Sequence, residues 1–528
     1  NGTRNPIWPK MAQVKTATVN ISGTIDGTTI RRNVFGGGEL GTVRDDAIVT
    51  ISGGTIRRDV YGGGYGSEDM NYTIFSVFEP KADDPDAYVE NTYAFSPMQF
   101  AGCVGKSTTV NVNGGYIRKS VYGGGEMASV GVYDCKVKEV DAVTSADVVV
   151  KEATTTSKAV VYSNMVKHAD TTKEFALSWP YKFNYLSIYP GATHVNITGG
   201  RLGLKTDDTD TGFEDNGDVY GAGKGKAGDF NDYLFCANVG STDVKIAYTS
   251  TPTEYSGTDD LIAGAVYGGG EDGHVMGNTK LTISGGLIYH SVYGGGSGKG
   301  KISRKLLLSG KTYGSLNNDD YVNRDAYSIT AGKVFGNTEV NMTDGYVVRN
   351  IYGGGNMGSV GKGNYAGGTD DYSTTGYGEK VTDLWSNADF LNSGKCTVKI
   401  SGGTIGYIDT TTPSNSMYPY NSPASLPYGN VFGGCRGEAV PNITDSPRYY
   451  YCPEFFVGYA NETKVTIEGT NTKILGSVYG GGMDGHIRRD AHVIIKGGEI
   501  GIPFDATNKT NVKTEDPNNI QWLARGNV

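Results

Sequence analysis

The sequence predicts an all-β protein, a parallel β-solenoid of about nine to ten coils with long loop insertions, and three observations predict it. A Val/Ile-aromatic-Gly-Gly motif recurs nine times between Val34 and Gly481, with Ala222 replacing one glycine. Where nothing interrupts the motif, as from Val34 to Val60, it recurs with a fixed period of about 26 residues, which is typical of one supersecondary unit stacked on itself. A short strand of alternating apolar and polar residues accompanies each copy.

The strand that accompanies each motif begins with an aliphatic-polar-aliphatic triplet, such as Val49-Thr50-Ile51. Successive side chains of a strand point to opposite faces, so the two aliphatic residues share a buried face and the polar residue lies on the solvent-exposed face. The leg of the chain from Gly36 to Val49 is as long as the leg from Val49 to Gly62. Two equal legs therefore make one coil.

Short strands that end in glycine or asparagine suit the sides of a coil, because these residues tolerate the positive φ of a sharp corner. Stacked coils bury an axial core that no single coil could bury alone. A right-handed β-helix is the expected form. A β-propeller is the main alternative, but its blades need about 40–50 residues and four strands each. The uninterrupted units of this chain are too short for such a blade.

The chain, residues 1–528, is predicted to be one continuous solenoid and a fragment of a longer protein. Gly526-Asn527-Val528 repeats the lead-in Gly429-Asn430-Val431 to an aromatic corner, so a further coil is expected to follow. The largest insertions share the leg that returns from the glycine corner, and we expect these loops to emerge from one side. The predicted insertions are residues 65–107, 126–192, 204–217, 297–337, 356–395, 404–429 and 435–462.

Composition narrows the class of protein. The net charge of −9 and the scattered basic residues argue against nucleic-acid binding. There is no run of 18 apolar residues that would span a membrane. Six cysteines, none in a Cys-x-x-Cys pair, are expected to fall in insertions or at coil edges. A Cys435–Cys452 disulfide and free buried thiols both stay open.

The aromatic residue of the motif is expected to recur directly above itself, which makes a stacked ladder. Its main role is then structural, to stabilise a wall of glycines through ring packing, and an exposed platform for a glycan is the alternative. The ladder comprises Phe35, Tyr61, Tyr122, Tyr220, Tyr267, Tyr293, Tyr352, Phe432 and Tyr479.

Two insertions are rich in aromatic residues that could bind a glycan or a protein. Aromatic faces give a large contact area at little entropic cost, although the same residues could pin the loops to the solenoid wall. The candidates are Trp179, Tyr181, Tyr185, Tyr449, Tyr450 and Tyr451.

Basic residues recur just before the aromatic corner, and acidic residues follow the corner. The basic set is Arg31-Arg32, Arg57-Arg58, Arg118-Lys119, Arg349 and Arg488-Arg489, and the acidic set is Glu39, Glu126, Glu271 and Asp484. Ion pairing between neighbouring coils is one interpretation. A basic stripe that binds uronic acids or lipopolysaccharide is the other, with Arg57 and Arg58 as its candidate residues.

An acidic loop offers oxygen ligands for calcium through Asp208, Asp210 and Asp215, although an ordinary solvated loop is the favoured interpretation. No other cofactor is predicted. The sequence contains no His-Glu-x-x-His, Gly-x-Ser-x-Gly or phosphate-loop motif, so it does not point to an enzyme.

The Val-Tyr-Gly-Gly-Gly corners and the strands after Gly277-Asn278-Thr279 and Gly336-Asn337-Thr338 resemble the large glycine-rich repeat surface proteins of Bacteroidetes and β-helical adhesins. The resemblance implies secretion across the outer membrane and an extracellular or cell-surface location. The function expected is an adhesin-like scaffold whose loops bind glycans, proteins or cells. Two alternatives are a polysaccharide lyase or glycosidase of β-helix type, and a structural spacer in a cell-surface assembly.

Overall fold

The computed structural model describes residues 12–25, 27–69, 73–80, 87–95, 97–131, 136–144, 147–167, 181–182, 191–203, 217–227, 236–251, 260–307, 321–328, 330–361, 392–406, 429–438, 457–501 and 528. These residues are almost entirely β structure in long parallel sheets, as the sequence predicts. The helix Pro97–Phe100 is the one helix they contain.

The largest sheet has 15 strands, and its main path runs through the alternating strands in sequence order. Each strand pairs in parallel and in register with the equivalent strand of the next repeat, so Val49 lies between Val19 and Val110. The ten strands of this path are Ala17–Ile21, Ala47–Ile56, Ser107–Ile117, Ala192–Leu202, Ser241–Ala247, Thr279–Ile288, Thr338–Val347, Lys395–Ile400, Glu462–Ile467 and Ala491–Ile495.

The longer strands of this sheet bend near their middle, at a glycine such as Gly54, whose φ is +81°. A β-branched or bulky residue is strained at that φ, which explains the Gly-Gly pair in the repeat. In the other repeats the segment after the bend is a separate strand of the same sheet. These separate strands are Thr29–Ile30, Leu261–Ile262, Gly403–Ile405, Thr472–Ile474 and Glu499–Ile500.

A second sheet contains the nine aromatic motifs as two-residue parallel strands. We number the repeats 1 to 9 by these strands. They are Val34–Phe35, Val60–Tyr61, Val121–Tyr122, Val219–Tyr220, Val266–Tyr267, Val292–Tyr293, Ile351–Tyr352, Val431–Phe432 and Val478–Tyr479.

A third, shorter line of pairing follows the glycine corner in each repeat. Single parallel bridges join Val43 to Val104 and Val104 to Val130, and further along they join Val275 to Val334. Two-residue strands extend the line at its ends, where Gln13–Val14 pairs with Thr42–Val43 and Tyr459–Ala460 pairs with His486–Ile487. We call this line the valine column.

The aliphatic residues of the first two sheets form one continuous core. Val49, Ile51 and Val60 are fully buried in repeat 2, and their equivalents are buried in repeats 3 to 8. The valine column forms a second buried cluster together with Ala47, Cys396 and Cys435. The repeats therefore bury their apolar residues against one another, which is the packing that the fixed period predicts.

The insertions of the leg that returns from the glycine corner leave the repeats at two places, one before and one after the valine column. In repeats 2 and 6 the insertion precedes Val104 and Val334 of the valine column, whereas in repeats 3 and 7 it follows Val130 and Val360. The position of an insertion before or after the valine column could not be read from the sequence, because the column is one residue wide and lies inside the predicted insertions.

Two insertions combine into one antiparallel sheet of six strands, because Lys136–Val140 of one pairs with Tyr88–Phe95 of the other. The remaining strands of this sheet are Thr73–Pro80, Asp147–Lys151, Ala159–Lys167 and Tyr181–Lys182. In repeat 6 the strands Lys301–Leu307 and Tyr321–Tyr327 form an antiparallel hairpin.

Cys103, Cys236, Cys396 and Cys435 are free and buried. Cys435 therefore forms no disulfide with Cys452, which lies outside the described residues along with Cys135. Cys396 is also not at a coil edge, because it lies within the strand Lys395–Ile400 and packs in the core. Burial raises the pKa of the Cys103 and Cys396 thiols to about 12, so both are unreactive.

Candidate functional site

Three adjacent rows of paired basic residues stand at the ends of the long strands in repeats 1 to 3. We call them the basic stripe, and its members are Arg31, Arg32, Arg57, Arg58, Arg118 and Lys119. Strand pairing fixes the rows, since Ile30 lies beside Ile56 and the Arg118 amide donates to the Ile56 carbonyl at 2.9 Å.

Most of the basic stripe faces solvent. Arg31, Arg32, Arg57, Arg58 and Lys119 are exposed, and in the part of the chain that the structure describes these five form no ion pair. Paired strands lie about 4.8 Å apart, so like charges in successive rows repel one another. The arrangement suits a ligand that carries several negative charges along its length.

The basic set does not include Arg488 and Arg489, which corrects the sequence prediction. These two residues follow His486–Ile487 in the valine column, whereas Arg57 and Arg58 precede an aromatic strand. Leu475 occupies the place in repeat 9 that Arg57 occupies in repeat 2. Both pairs lie close to an aromatic corner along the chain. Proximity in sequence does not show whether a pair lies before or after that corner.

The aromatic ladder forms one stack, with ring centroids 4.7–4.9 Å apart and planes within 5–11° of parallel. The rings from Tyr61 to Phe432 are buried, Phe35 is half-buried, and Tyr479 at the end of the stack is 37 % exposed. A ligand cannot lie flat on buried rings. The stack therefore supports the fold and offers no platform along its length.

Charged residues border the stack on the side where the glycine corner ends. The Lys224 ammonium lies 3.3 Å from Glu126, and the Tyr122 hydroxyl donates to Glu271. These partners differ from the arginines that the alternation of basic and acidic sets suggested for Glu126 and Glu271. A lysine, two carboxylates and a phenol thus converge along repeats 3 to 5.

The residue directly before each aromatic strand has a role that the sequence analysis missed. The Asp59 carboxylate accepts from the Ser120 amide at 3.0 Å, and Asn350 accepts from the Asn430 amide at 2.9 Å. Polar side chains at this position therefore satisfy the backbone of the next repeat. The signal was visible, because this position is polar in every repeat except repeat 5, which has Ala265.

Asp218 holds this position in repeat 4 and is the most deeply buried carboxyl of the group, at 8 % exposure. It accepts from the Ala265 amide at 2.6 Å and from the Tyr220 hydroxyl at 3.1 Å. Burial outweighs these hydrogen bonds and raises the pKa of Asp218 to about 6.

Most of the predicted loop residues lie outside the described residues. These are Trp179, Tyr185, Tyr449, Tyr450 and Tyr451 among the aromatics, and Asp208, Asp210 and Asp215 of the calcium loop. Tyr181 lies in the strand Tyr181–Lys182 of the antiparallel sheet. Of the predicted binding residues, the structure thus brings Arg57 and Arg58 together.

Within the described ranges no three His, Cys, Asp or Glu side chains are grouped so as to hold a metal ion. Those ranges also contain no helix with the length and apolar character of a bilayer span. Comparison with protein-family models, curated proteins and solved structures gives no match to this chain.

Proposed function

We propose that this chain is a β-solenoid scaffold, in the form of a right-handed β-helix, that binds acidic glycans through the basic stripe. It acts as an adhesin-like protein, secreted or displayed on a bacterial cell surface. The in-register columns support the solenoid form, because each repeat pairs with the next in three lines. The surface location and the bacterial group rest on the resemblance of the Gly-rich corners to surface repeat proteins.

The observation that carries the binding proposal is the exposure of five basic side chains in three successive rows, none of which forms an ion pair among the described residues. They are Arg31, Arg32, Arg57, Arg58 and Lys119. A linear polymer with negative charges along its length can follow the rows and neutralise them. The net charge of −9 disfavours non-specific attraction of polyanions, so binding should depend on the stripe itself.

The test is binding of polygalacturonate and of a sulfated polysaccharide to the whole chain, with neutral dextran as the reference polymer. R57Q/R58Q removes the central row and is expected to weaken binding by up to about thirtyfold, since each exposed ion pair contributes about 0–1 kcal/mol. Binding should also weaken between 50 and 300 mM salt, over which the Debye length falls from about 14 to about 6 Å.

The matched control is K280Q/K464Q, which removes the same charge from two exposed lysines outside the stripe. This control should bind like the parent chain. Equal affinity of R57Q/R58Q and the control for polygalacturonate would contradict the proposal.

A second candidate function is cleavage of the same polymers, and the convergence of Tyr122, Glu271, Lys224 and Glu126 favours it. A phenol, carboxylates and an ammonium group are the kinds of group that abstract and donate protons in a lyase or a glycosidase. New reducing ends released from polygalacturonate, and lost in Tyr122→Phe, would identify an enzyme. If neither binding nor cleavage is seen, a structural spacer is the function that remains.

A further inference from the structure

The basic stripe has a defined end. In repeats 1 to 3 the residue directly after the last buried residue of the long sheet is an arginine, whereas in repeat 4 this place holds Gly203, which is buried. Ala263 holds the place in repeat 5 and packs in a buried apolar cluster. The backbone ladder continues without a break, since the Gly203 amide donates to the Ile117 carbonyl at 2.8 Å. The exposed charge therefore stops after the third row although the fold goes on.

The spacing of the rows is that of paired strands. The Arg57 amide donates to the Ile30 carbonyl and the Arg118 amide to the Ile56 carbonyl, both at 2.9 Å, so the three rows are consecutive backbone neighbours. Paired strands lie about 4.8 Å apart. Positive charge therefore recurs about every 4.8 Å in the direction in which the repeats follow one another, over about 10 Å from the first row to the third.

The first two rows each present two exposed cations next to one another. Arg31 and Arg32 are both exposed in row 1, and the equivalent arginines of repeat 2 are both exposed in row 2. Row 3 presents Lys119, because Arg118 is half-buried. Long basic side chains are flexible, so two neighbours in a row can reach opposite sides of a chain that lies along the stripe.

The surroundings of the stripe favour a negative ligand that follows the rows. Asp59 is the one acidic residue directly beside a basic pair of the stripe, and its carboxylate accepts from the Ser120 amide at 3.0 Å. A ligand that crosses the rows towards the aromatic stack approaches this carboxylate, whereas a ligand that runs from row to row stays against cations. On the opposite side the rows are bordered by uncharged residues, which are Thr29, Thr55 and Tyr116.

We propose that the basic stripe binds a linear polymer of uronic acid, with one sugar unit for each row and the sugar chain running from repeat to repeat. This inference deepens the proposed function and rests on it. In an extended (1→4)-linked chain each sugar advances by nearly the distance between two paired strands, and successive carboxylates lie on alternate sides of the chain. Guanidinium groups bind carboxylates through two parallel hydrogen bonds, and two neighbouring cations in a row can serve either side.

The same fit discriminates against other acidic glycans. A polymer that carries a carboxylate on every second sugar leaves at least one of the three rows without a negative partner. A ligand with two carboxylates on adjacent sugars fills two rows only. The number of adjacent acidic sugars, up to three, should therefore set the affinity.

The first test measures binding of galacturonate oligomers of two, three and four units to the whole chain at about 50 mM salt, where screening is weak. Trigalacturonate should bind about fivefold more tightly than digalacturonate, which corresponds to about 1 kcal/mol for the carboxylate that meets the third row. Tetragalacturonate should bind within about twofold of trigalacturonate, because its fourth carboxylate meets no row. No gain at the third unit, or an equal gain at the fourth, overturns the inference.

A variant that shortens the stripe tests the register. R31Q/R32Q removes the first row, so trigalacturonate should bind it no more tightly than digalacturonate does. Its affinity for digalacturonate should stay within about twofold of that of the parent chain, since two adjacent rows remain. K280Q/K464Q, which loses the same charge outside the stripe, should keep the fivefold gain at the third unit. A gain in R31Q/R32Q as large as that of the parent chain contradicts the placement of one sugar on each row.

A hyaluronate tetrasaccharide, with a carboxylate on every second sugar, separates this inference from the proposed function. It should bind the parent chain about fivefold more weakly than tetragalacturonate. If the two tetrasaccharides bind equally while R57Q/R58Q still weakens polygalacturonate binding, the glycan function stands and the row-by-row fit falls. If the parent chain binds neither polygalacturonate nor any oligomer, the proposed function falls and this inference falls with it.

Discussion

The hydroxyl of Tyr122 in repeat 3 donates a hydrogen bond to the carboxylate of Glu271 in repeat 5, two repeats further along the chain. The same offset recurs where Asn356 donates to the Tyr267 hydroxyl at 3.4 Å and where Tyr352 donates to Met483. The hydroxyls of Tyr122 and Tyr352 reach beyond the adjacent repeat, whereas that of Tyr220 donates to Asp218 in its own repeat. Side chains thus link second neighbours, whereas backbone pairing links only first neighbours.

Tyr122→Ala is expected to destabilise the fold by about 3–5 kcal/mol, because it leaves a ring-sized cavity inside a closed stack. Tyr122→Phe should cost about 1 kcal/mol, since half-exposed Glu271 can bind water in place of the lost hydroxyl. Equilibrium unfolding in urea measures both. Tyr479→Ala is the matched control at the open end of the stack, where 37 % of the residue is exposed. A cost for Tyr479→Ala as large as that for Tyr122→Ala would show that the stack does not act as a closed unit.

The glycine wall beside the stack is required by the close approach of neighbouring repeats. A Cβ on Gly294 would overlap the carbonyl oxygen of Gly353, whereas a Cβ on Gly481 would meet no atom within 4 Å. Gly294→Ala should therefore cost about 1–3 kcal/mol through forced backbone shifts. Gly481→Ala should stay within about 0.5 kcal/mol of the parent chain. The midpoints of thermal unfolding of the two variants test this prediction. Similar midpoints would contradict the close approach of neighbouring repeats at Gly294.

A buried threonine ties the long sheet to the glycine corner in six repeats. The hydroxyl of Thr279 donates to the Gly294 carbonyl at 2.6 Å, and Thr108 does the same to Gly123. Thr279→Val keeps the shape but removes the donor, so we expect a loss of about 1–3 kcal/mol in the free energy of unfolding. Thr282→Val changes a half-exposed threonine of the same strand and should cost less than about 0.5 kcal/mol. Equal losses for the two variants would mean that the buried hydroxyl adds nothing.

The period predicts the parts of the fold that recur in every repeat. Val49 and Tyr61 lie beside their equivalents because each repeat meets the same neighbour, and spacing alone reveals this register. The pairing of Lys136–Val140 with Tyr88–Phe95 follows no period, since it joins two insertions that each occur once. Spacing also does not reveal side-chain hydrogen bonds between distant repeats, such as the one from Tyr122 to Glu271.

The candidate site was predicted in part for the same reason. Arg57 and Arg58 stand out because their neighbours in repeats 1 and 3 are basic at the same place. His290 holds that place in repeat 6 but is a different residue type, so a search for repeated arginines passes over it. Its contact with the Arg349 guanidinium is seen only in the structure.

Asp218 gives the fold a pH dependence with a definite sign. Burial raises the pKa of its carboxyl from 3.8 to about 6 in the folded chain, which corresponds to about 3 kcal/mol. Because the folded pKa lies above the unfolded one, the folded state binds the proton more tightly. The stabilisation from this group is complete below about pH 4 and is lost as the pH rises through 6.

Asp218→Asn removes this titration while it keeps an oxygen that can accept from the Ala265 amide. The melting temperature of the variant, relative to that of the parent chain, should therefore rise between pH 4 and pH 8. Asp272, with a pKa raised to about 7, and His274, with a pKa lowered to about 4, titrate in both proteins and cancel in the comparison.

Ser120→Ala changes the same position in repeat 3 to a group that does not titrate, so its offset from the parent chain should be the same at every pH. A melting-temperature offset for Asp218→Asn that is also constant with pH would contradict this prediction. It would mean that the Asp218 carboxylate of the parent chain is charged throughout this range, because its hydrogen bonds from the Ala265 amide and the Tyr220 hydroxyl outweigh its burial.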